Sequence, residues 1–135
     1  NVFAGNDKAT IVTDTGVISD DILRRIDDTT LLVLEANYDP HMLRFGPYQP
    51  FLKQRVASDE GHLSNEMAAQ ALLMMKRPDF MQVILAHRSE NNNNAVLVTQ
   101  TIGKMLVDGG VRIGPEMKLQ HGQPNEIVSI QSVER

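Results

Sequence analysis

The chain has 135 residues, of which 41% are hydrophobic and 22% charged, and this size and balance fit one folded domain with a substantial core. It contains no cysteine, which excludes disulfides, thiol catalysis and cysteine-based zinc sites. No apolar run approaches the roughly 20 residues of a membrane-spanning helix, and a net charge of −4 argues against a broadly basic nucleic-acid surface. We therefore expect a cytoplasmic protein without membrane contacts. The charge still leaves room for a local basic patch or for metal ions that recruit phosphates.

The first part of the chain predicts a strand, a helix and a second strand. Residues 9–13 are β-branched and apolar and stop at Asp14, which is typical of a buried strand that ends in a turn. Ser19 is a candidate N-cap for a short helix, since two aspartates follow it where a helix dipole favours negative charge. Residues 30–35 form an apolar run that closes on Glu35, as in a parallel strand covered on both faces.

Three helical segments are predicted in the middle of the chain. Asp39 is a candidate cap for a short helix with Pro40 at its first position. A basic helical turn follows at 51–56. Ser64 is the cap of the clearest helix in the sequence, residues 65–76, whose apolar residues share one face.

The last third predicts a strand, a helix and two short strands. Residues 81–86 are apolar and would place His87 at the carboxyl end of a buried strand. The asparagine run 91–94 is interpreted as a solvated loop whose last residue caps a helix at 95–107. Two short strands are expected at 117–120 and 126–131. Alternating strands and helices predict an α/β fold with one largely parallel sheet, antiparallel edge strands and flanking helices.

Asp14 and His87 are the first candidates for chemistry, because each follows a predicted parallel strand. The carboxyl ends of such strands meet at one edge of the sheet, where α/β proteins bind their ligands. A carboxylate and an imidazole suit zinc, manganese or iron, and a carboxylate can bridge two ions. Two ligands are fewer than the three of a typical catalytic zinc site. The alternatives are that Asp14 caps the turn backbone and that His87 is a structural or surface residue.

His62 is the second candidate, in the phrase Gly61-His62-Leu63-Ser64-Asn65-Glu66. It stands just before a helix start, where it could bind phosphate or transfer a proton with help from the helix N-terminus. A histidine satisfied by the loop backbone is the alternative. Glu35 could orient His62 or form a salt bridge at the end of its strand.

Arg44, Lys53 and Arg55 form a modest basic cluster. They fit a solvated helix face, or a contact to a nucleic-acid backbone. The sequence leaves both interpretations open.

The polar motifs also occur in a distinctive order. They are Thr13-Asp14-Thr15-Gly16, Leu34-Glu35-Ala36-Asn37-Tyr38-Asp39, Met42-Leu43-Arg44, Gly46-Pro47-Tyr48, Leu52-Lys53-Gln54-Arg55, Gly61-His62-Leu63-Ser64-Asn65 and Leu85-Ala86-His87. In this order the chain resembles the YycJ/WalJ/VicX group of metallo-β-lactamase-fold hydrolases over nearly its whole length. The stretch 35–65 looks specific to that group.

The resemblance implies both a fold and an activity. The fold is an αββα sandwich with a two-metal site between its sheets, occupied by zinc or manganese. The activity is phosphodiester hydrolysis on DNA or RNA, and exonuclease activity is proposed for the group. Nucleic acid is therefore the implied partner of the intact protein.

The resemblance also implies roles for individual residues. Asp14 resembles the carboxylate that bridges the two metals, and His87 resembles the last histidine ligand. His62 and Ser64 resemble a His-Ser element that assists proton transfer or holds phosphate, and Glu35 resembles the acid that partners this histidine.

Substrate contacts are predicted for Ser64, Asn65 and Ser89, of which the last follows His87 by two residues. The sequence departs from the group at Tyr38, where the group commonly has a histidine. A larger departure is that the group's His-x-His-x-Asp-His cluster and a further histidine ligand belong to an amino-terminal half that these residues do not include.

We therefore expect residues 1–135 to form a single domain, the carboxyl-terminal half of a metallo-β-lactamase fold. The first residue, Asn1, fits a piece of a longer product. Alone, such a half is expected to bind metal weakly or not at all and to be inactive. Its exposed apolar sheet face would favour a homodimer or the missing half as a partner. The alternative is a non-catalytic α/β interaction module or dimerising fragment.

Overall fold

The computed structural model describes residues 1–130, which form five strands and five helices. The strands are β1 (Val2–Ala4), β2 (Asp7–Val12), β3 (Leu31–Glu35), β4 (Met81–Ala86) and β5 (Met117–His121). The helices are α1 (Asp20–Ile26), α2 (Pro40–Phe45), α3 (Pro50–Val56), α4 (Asn65–Met74) and α5 (Ala95–Asp108).

The five strands form one sheet in the order β1-β2-β3-β4-β5. Strands β2 to β5 are mutually parallel, and β1 pairs antiparallel with β2. Helix α1 connects β2 to β3, helices α2 to α4 connect β3 to β4, and α5 connects β4 to β5. The predicted α/β class with a largely parallel sheet is confirmed, and the carboxyl ends of β2, β3 and β4 lie at one edge.

The core lies on one face of this sheet. Alternate strand residues such as Leu32, Leu34, Val83 and Leu85 are buried in one cluster with apolar residues of α1, α4 and α5. Because side chains alternate across a strand, the residues between them belong to the opposite face.

That opposite face is more open. Ile11 is 71% exposed, and its partner in register, Val33, is only partly buried. The prediction of a buried strand at 9–13 was therefore wrong for Ile11, because helices cover only one face of β2 within the part of the chain that the structure describes.

The helix starts agree with the sequence predictions. Four helices begin at residues whose side-chain oxygen accepts a hydrogen bond from the backbone three residues later, as N-caps do. These caps are Ser19, Asp39, Ser64 and Asn94. Helix α4 ends two residues earlier than the predicted 65–76.

The two ends of the described chain differ from the prediction. At the carboxyl-terminal end, residues 126–130 do not form the predicted strand, and Gln131 lies outside the described residues. Strand β5 is parallel to β4, so it is not an antiparallel edge strand.

At the amino-terminal end, the antiparallel edge strand is β1, which was not predicted from the sequence. The available signal was Gly5-Asn6, a hairpin turn pair, with Gly5 at φ +60°.

No helix among residues 1–130 combines the length and the apolar character needed to cross a membrane.

Candidate metal centre

Four side chains meet at the carboxyl edge of the sheet. One candidate ligand atom from each of Asp14, Glu35, His62 and His87 lies within 4.8 Å of the others. Asp14, Glu35 and His87 come from the ends of β2, β3 and β4, and His62 comes from the loop before α4. The parallel sheet thus brings together four residues that span 73 positions of sequence, from 14 to 87.

Glu35 is the centre of this cluster. Its side chain is fully buried, and its Oε1 lies 2.8 Å from Nδ1 of His62 and 2.5 Å from Nδ1 of His87. Its Oε2 accepts a hydrogen bond of 3.2 Å from the backbone N–H of Leu63. Glu35 therefore orients both imidazole rings. The contact with His62 was one of the two predicted alternatives, whereas the contact with His87 was not predicted.

The contact between Glu35 and His87 follows from the register of the sheet. Glu35 pairs with Ala86 across β3 and β4, so it stands beside the strand end that carries His87. Both strands are recognisable in the sequence, but the sequence does not show that they are neighbours.

The ring orientation suits metal binding. Nδ1 of each histidine faces Glu35, which leaves Nε2 of each ring for a metal ion or a substrate. Histidines that bind metals usually donate their other ring N–H to a carboxylate, which fixes the tautomer and the ring plane. A set of imidazole nitrogens and carboxylate oxygens fits zinc or manganese.

Asp14 completes the cluster from the exposed side. Its Oδ1 lies 3.9 Å from Nδ1 of His62 and 3.7 Å from Nδ1 of His87, which is too far for hydrogen bonds. Its side chain is 68% exposed. The carboxylate is thus near both rings and accessible from solvent.

Asp14 and His87 both have a left-handed backbone, with φ of 57° and 53°. This conformation costs a non-glycine residue on the order of 1–2 kcal/mol and is concentrated at functional sites. The carbonyl of His87 accepts a 2.7 Å hydrogen bond from Nδ2 of Asn37, which helps to hold its turn. Both strands therefore end in tight turns that the surrounding contacts maintain.

Two glycines hold the Asp14 turn close to the loop that leads to His62. Gly16 donates a 3.0 Å hydrogen bond to the carbonyl of Asp59, and a Cβ at Gly16 would lie 1.7 Å from the carbonyl oxygen of Ser58. A Cβ at Gly61 would lie 2.2 Å from the carbonyl oxygen of Val56. Only glycine allows these backbones to approach so closely.

Ser64 and Asn65 are buried, and other parts of the chain bond their side chains. Oγ of Ser64 accepts a hydrogen bond from the N–H of Met67, as the cap of α4. Asn65 exchanges two amide hydrogen bonds with Asn93, of 3.1 and 2.8 Å. Their substrate contacts stay a prediction.

The asparagine run also differs from its interpretation as a solvated loop. Asn92 and Asn93 are buried, although Asn94 caps α5 as predicted. The cause is the pairing with Asn65 and a hydrogen bond of 3.1 Å from Nδ2 of Asn93 to the carbonyl of Ala36. The sequence contained polar residues in both places but no sign that they pair.

Ser89 lies at the surface of the site. A cleft of about 320 Å³ is lined by His62 and His87 together with Tyr48, Arg88 and Ser89, and a second cleft of about 720 Å³ shares His87 and Ser89. Oγ of Ser89 accepts a 3.1 Å hydrogen bond from the N–H of Asn92. Among the three predicted substrate contacts, Ser89 has the position closest to a cleft.

Tyr38, which stands where the YycJ/WalJ/VicX group commonly has a histidine, is a core residue. Its side chain is buried with Leu43 and Val56. Burial raises the pKa of the Tyr38 hydroxyl, and the charge of Glu66 adds to this shift. The structure therefore gives the residue a packing role beside the cleft.

Fold and site together define an α/β protein with a carboxylate and histidine cluster at the carboxyl edge of a parallel sheet. The chain is 34% identical to exodeoxyribonuclease YycJ of Bacillus anthracis over 128 residues. This alignment covers 95% of the chain and 48% of YycJ. It is also 34% identical to exodeoxyribonuclease WalJ of Streptococcus pneumoniae over 124 residues. That alignment covers 91% of the chain and 46% of WalJ. No family model and no solved structure matches the chain.

The chain is therefore a partial homologue of the YycJ/WalJ exodeoxyribonucleases, which confirms the resemblance found in its motifs. It spans about half the length of the curated relatives it matches.

Proposed function

We propose that the chain is the carboxyl-terminal half of a metal-dependent nucleic-acid phosphodiesterase with a metallo-β-lactamase fold, and that the intact protein is an exonuclease. The observation that carries this proposal is the cluster of Asp14, Glu35, His62 and His87. The names of the relatives support the choice of DNA as the substrate. They do not favour the alternative of a non-catalytic interaction module.

Each residue of the cluster has a proposed role. Asp14 and His87 bind metal, and Glu35 fixes the rings of His62 and His87 through its hydrogen bonds. His62 transfers a proton or holds a phosphate oxygen, and Ser89 contacts the substrate in the cleft. When bound, zinc or manganese ions would lower the pKa of a water molecule and offset the charge of the phosphate.

The proposed half site explains why the isolated chain should be inactive. Asp14 and His87 are two ligands, whereas a catalytic zinc site typically has three and a two-metal site needs more. The remaining ligands would come from the amino-terminal half. That half would also cover the sheet face of Ile11, which in the isolated chain would favour a homodimer.

The test compares two polypeptides, this chain and the longest reading frame that contains it. Both are incubated with Mn²⁺ or Zn²⁺ and end-labelled DNA, and product lengths are followed on a denaturing gel. We expect stepwise shortening of the DNA by the longer polypeptide and little or none by this chain. Asp14→Ala and His87→Ala in the longer polypeptide should abolish both cleavage and bound metal.

The proposal fails if the longer polypeptide, loaded with metal, leaves DNA and RNA intact. It fails equally if both variants retain the metal content and cleavage rate of the parent.

A further inference from the structure

Asn37 stands between the two loops that carry the histidines of the candidate metal centre. It follows the end of β3 by two residues and is buried. Its backbone N–H donates a 2.9 Å hydrogen bond to the carbonyl of Leu63, and its carbonyl accepts one of 2.8 Å from the N–H of Ser89. Leu63 comes directly after His62, and Ser89 comes two residues after His87. The backbone of Asn37 is therefore bonded to both histidine loops.

The side chain of Asn37 makes a further bond to the second loop. Its Nδ2 donates a 2.7 Å hydrogen bond to the carbonyl of His87. One residue earlier, the backbone N–H of Ala36 donates a 3.0 Å hydrogen bond to the carbonyl of Ala86. At Asn37 the backbone N–H turns away to Leu63, and the side-chain amide supplies the donor on the β4 side instead. The amide thus extends the pairing of β3 with β4 as far as His87.

The position of the His87 ring depends on this support. His87 has φ of 53°, a left-handed conformation that a non-glycine residue keeps only where its surroundings hold it. Its Nδ1 lies 2.5 Å from Oε1 of Glu35, and its ring centre lies 5.1 Å from that of His62. Because hydrogen bonds weaken steeply with angle and distance, a rotation of the His87 turn would break the contact with Glu35.

Asn93, in the loop that follows His87, is a second buried amide with different partners. It exchanges two hydrogen bonds with the amide of Asn65. Its side chain also bonds to the carbonyl of Ala36 and to the N–H of Asn94. Within residues 1–130, none of these bonds ends on a histidine of the cluster. Asn93 is therefore a matched comparison, a buried amide that is more extensively bonded than Asn37 but not bonded to His87.

We propose that Asn37 is a positioning residue of the candidate metal centre. Its backbone holds the loop of His62 and its side-chain amide holds the turn of His87, so one residue sets the separation of the two rings. The amide keeps Nδ1 of His87 on Glu35 and thereby leaves Nε2 available to a metal ion. The relation to a metal rests on the proposed function, whereas the orientation of the ring does not.

The experiment compares Asn37→Ala with Asn93→Ala in the 135-residue chain without metal. NMR spectra of the histidine ring nitrogens, recorded at a pH high enough for neutral rings, show which nitrogen carries the proton. Because an ionised carboxylate only accepts hydrogen bonds, a neutral ring bonded to Glu35 carries its proton on Nδ1. In the parent chain, the chemical shifts of the two nitrogens in each ring should therefore be well separated.

Asn37→Ala should release the ring of His87 alone. Its two nitrogen shifts should converge, as they do in a histidine that exchanges between tautomers, whereas His62 should keep the parent pattern. Asn93→Ala should leave both rings unchanged. It removes more side-chain hydrogen bonds and should cost more stability in urea denaturation, so a merely structural role of Asn37 would give the opposite order of effects on the rings.

Asn37→Ser keeps the experiment decisive if the alanine variant does not fold. The serine hydroxyl is polar but one bond shorter than the asparagine amide, so it should not reach the carbonyl of His87. We expect the same convergence of the His87 shifts with a smaller loss of stability.

The consequence for metal binding is measured in the longer polypeptide. Asn37→Ala should lower its affinity for Zn²⁺ about tenfold, the lower end of the effect of removing groups that orient metal ligands. Asn93→Ala should leave the Zn²⁺ affinity unchanged.

The assignment is overturned if the folded Asn37 variants keep the parent spectrum of His87, or if Asn93→Ala changes that spectrum as strongly. Equal Zn²⁺ affinities of the Asn37→Ala and parent forms of the longer polypeptide would also contradict it. Failure of the proposed nuclease gives a different result. A selective change at His87 in the isolated chain, with a longer polypeptide that neither binds metal nor cleaves DNA, supports the positioning of the ring and contradicts only the nuclease.

Discussion

Leu34 and Glu35 are neighbours on β3, yet they belong to two different regions of the molecule. Leu34 is fully buried among the apolar residues of α1, α4 and α5. Glu35 is equally buried, but its carboxylate is bonded to two histidines and to the backbone of Leu63. The same strands thus supply an apolar core along their length and a polar cluster at their carboxyl ends.

In this fold, the residues that stabilise the folded state and the residues of the candidate metal centre occupy different parts of the same strands. The core gains free energy from apolar area removed from water. The polar end contains left-handed turns at Asp14 and His87 and the buried carboxyl group of Glu35, which are tolerated because neighbouring contacts support them. Variants in the two regions should therefore change different measurements.

The largest effect on folding is expected for Leu34→Ala. Removal of a fully buried leucine side chain leaves a cavity and should lower the free energy of unfolding by roughly 2–5 kcal/mol. Urea denaturation measures the change. Metal affinity of the folded protein should be unaltered, and a loss comparable to that of a cluster variant would contradict the separation.

Gly16→Ala is expected to affect both regions. The new Cβ would lie 1.7 Å from the carbonyl oxygen of Ser58, so one of the two loops must move. We expect a loss of roughly 1–3 kcal/mol in unfolding free energy and a displaced Asp14. Gly5→Ala is a matched control for added side-chain volume, because a Cβ at Gly5 meets nothing within 4 Å. It carries only the strain of its positive φ.

Comparable stability of the Gly16→Ala and Gly5→Ala variants would show that the Asp14 turn is not held by close packing against residues 58 and 59.

Glu35→Gln tests the polar region directly. The amide keeps only one of the two acceptor oxygens, so an NH2 group must face either the N–H of Leu63 or Nδ1 of His62 and His87. Loss of such a partner of metal-binding histidines typically lowers metal affinity by about 10–100-fold. Calorimetric titration of the longer polypeptide with Zn²⁺ measures the change, and Glu116→Gln, which removes a surface partner of Arg112, serves as the control. Equal affinities in the two variants would contradict the role of Glu35.

The smallest effect concerns pH and His121. Burial lowers the pKa of His121 below its ordinary value of 6.5, and the charge of Arg88 adds to this. The unfolded state therefore takes up a proton at higher pH than the folded state. Stability from this residue is complete above pH 6.5 and is lost as the pH falls through the lowered pKa.

Thermal melting of the parent and of His121→Gln between pH 5 and pH 8 checks this linkage. We expect the parent melting temperature to fall more steeply below about pH 6.5 than that of the variant. Identical pH profiles would contradict it.

Much of the local structure was predictable from the sequence. The caps at Ser19, Asp39, Ser64 and Asn94 were visible because side-chain oxygens at helix starts have a distinct pattern. The strand at 81–86 was visible as an apolar run. Strand β1 was missed because three residues give little periodicity. The strand predicted at 126–131 was wrong for residues 126–130, because an alternating pattern does not supply a neighbour to pair with.

The candidate site was predictable only in part. Asp14, Glu35, His62 and His87 were recognised by their places at the ends of elements and by the resemblance to a family. Their assembly around Glu35 was not, because it depends on which strands are neighbours. The pairing of Asn65 with Asn93 was hidden for the same reason, since 28 residues separate the two amides in sequence.

The sequence by itself determined the α/β class, the helix starts, the family resemblance and the identity of the chemical groups, because these depend on local patterns and on residue type. Tertiary structure alone decided that one buried carboxylate holds two histidines and that two asparagines of an apparently solvated loop are buried. The physical reason is that hydrogen bonding, burial and charge compensation are properties of neighbours in space, and the parallel sheet chooses those neighbours.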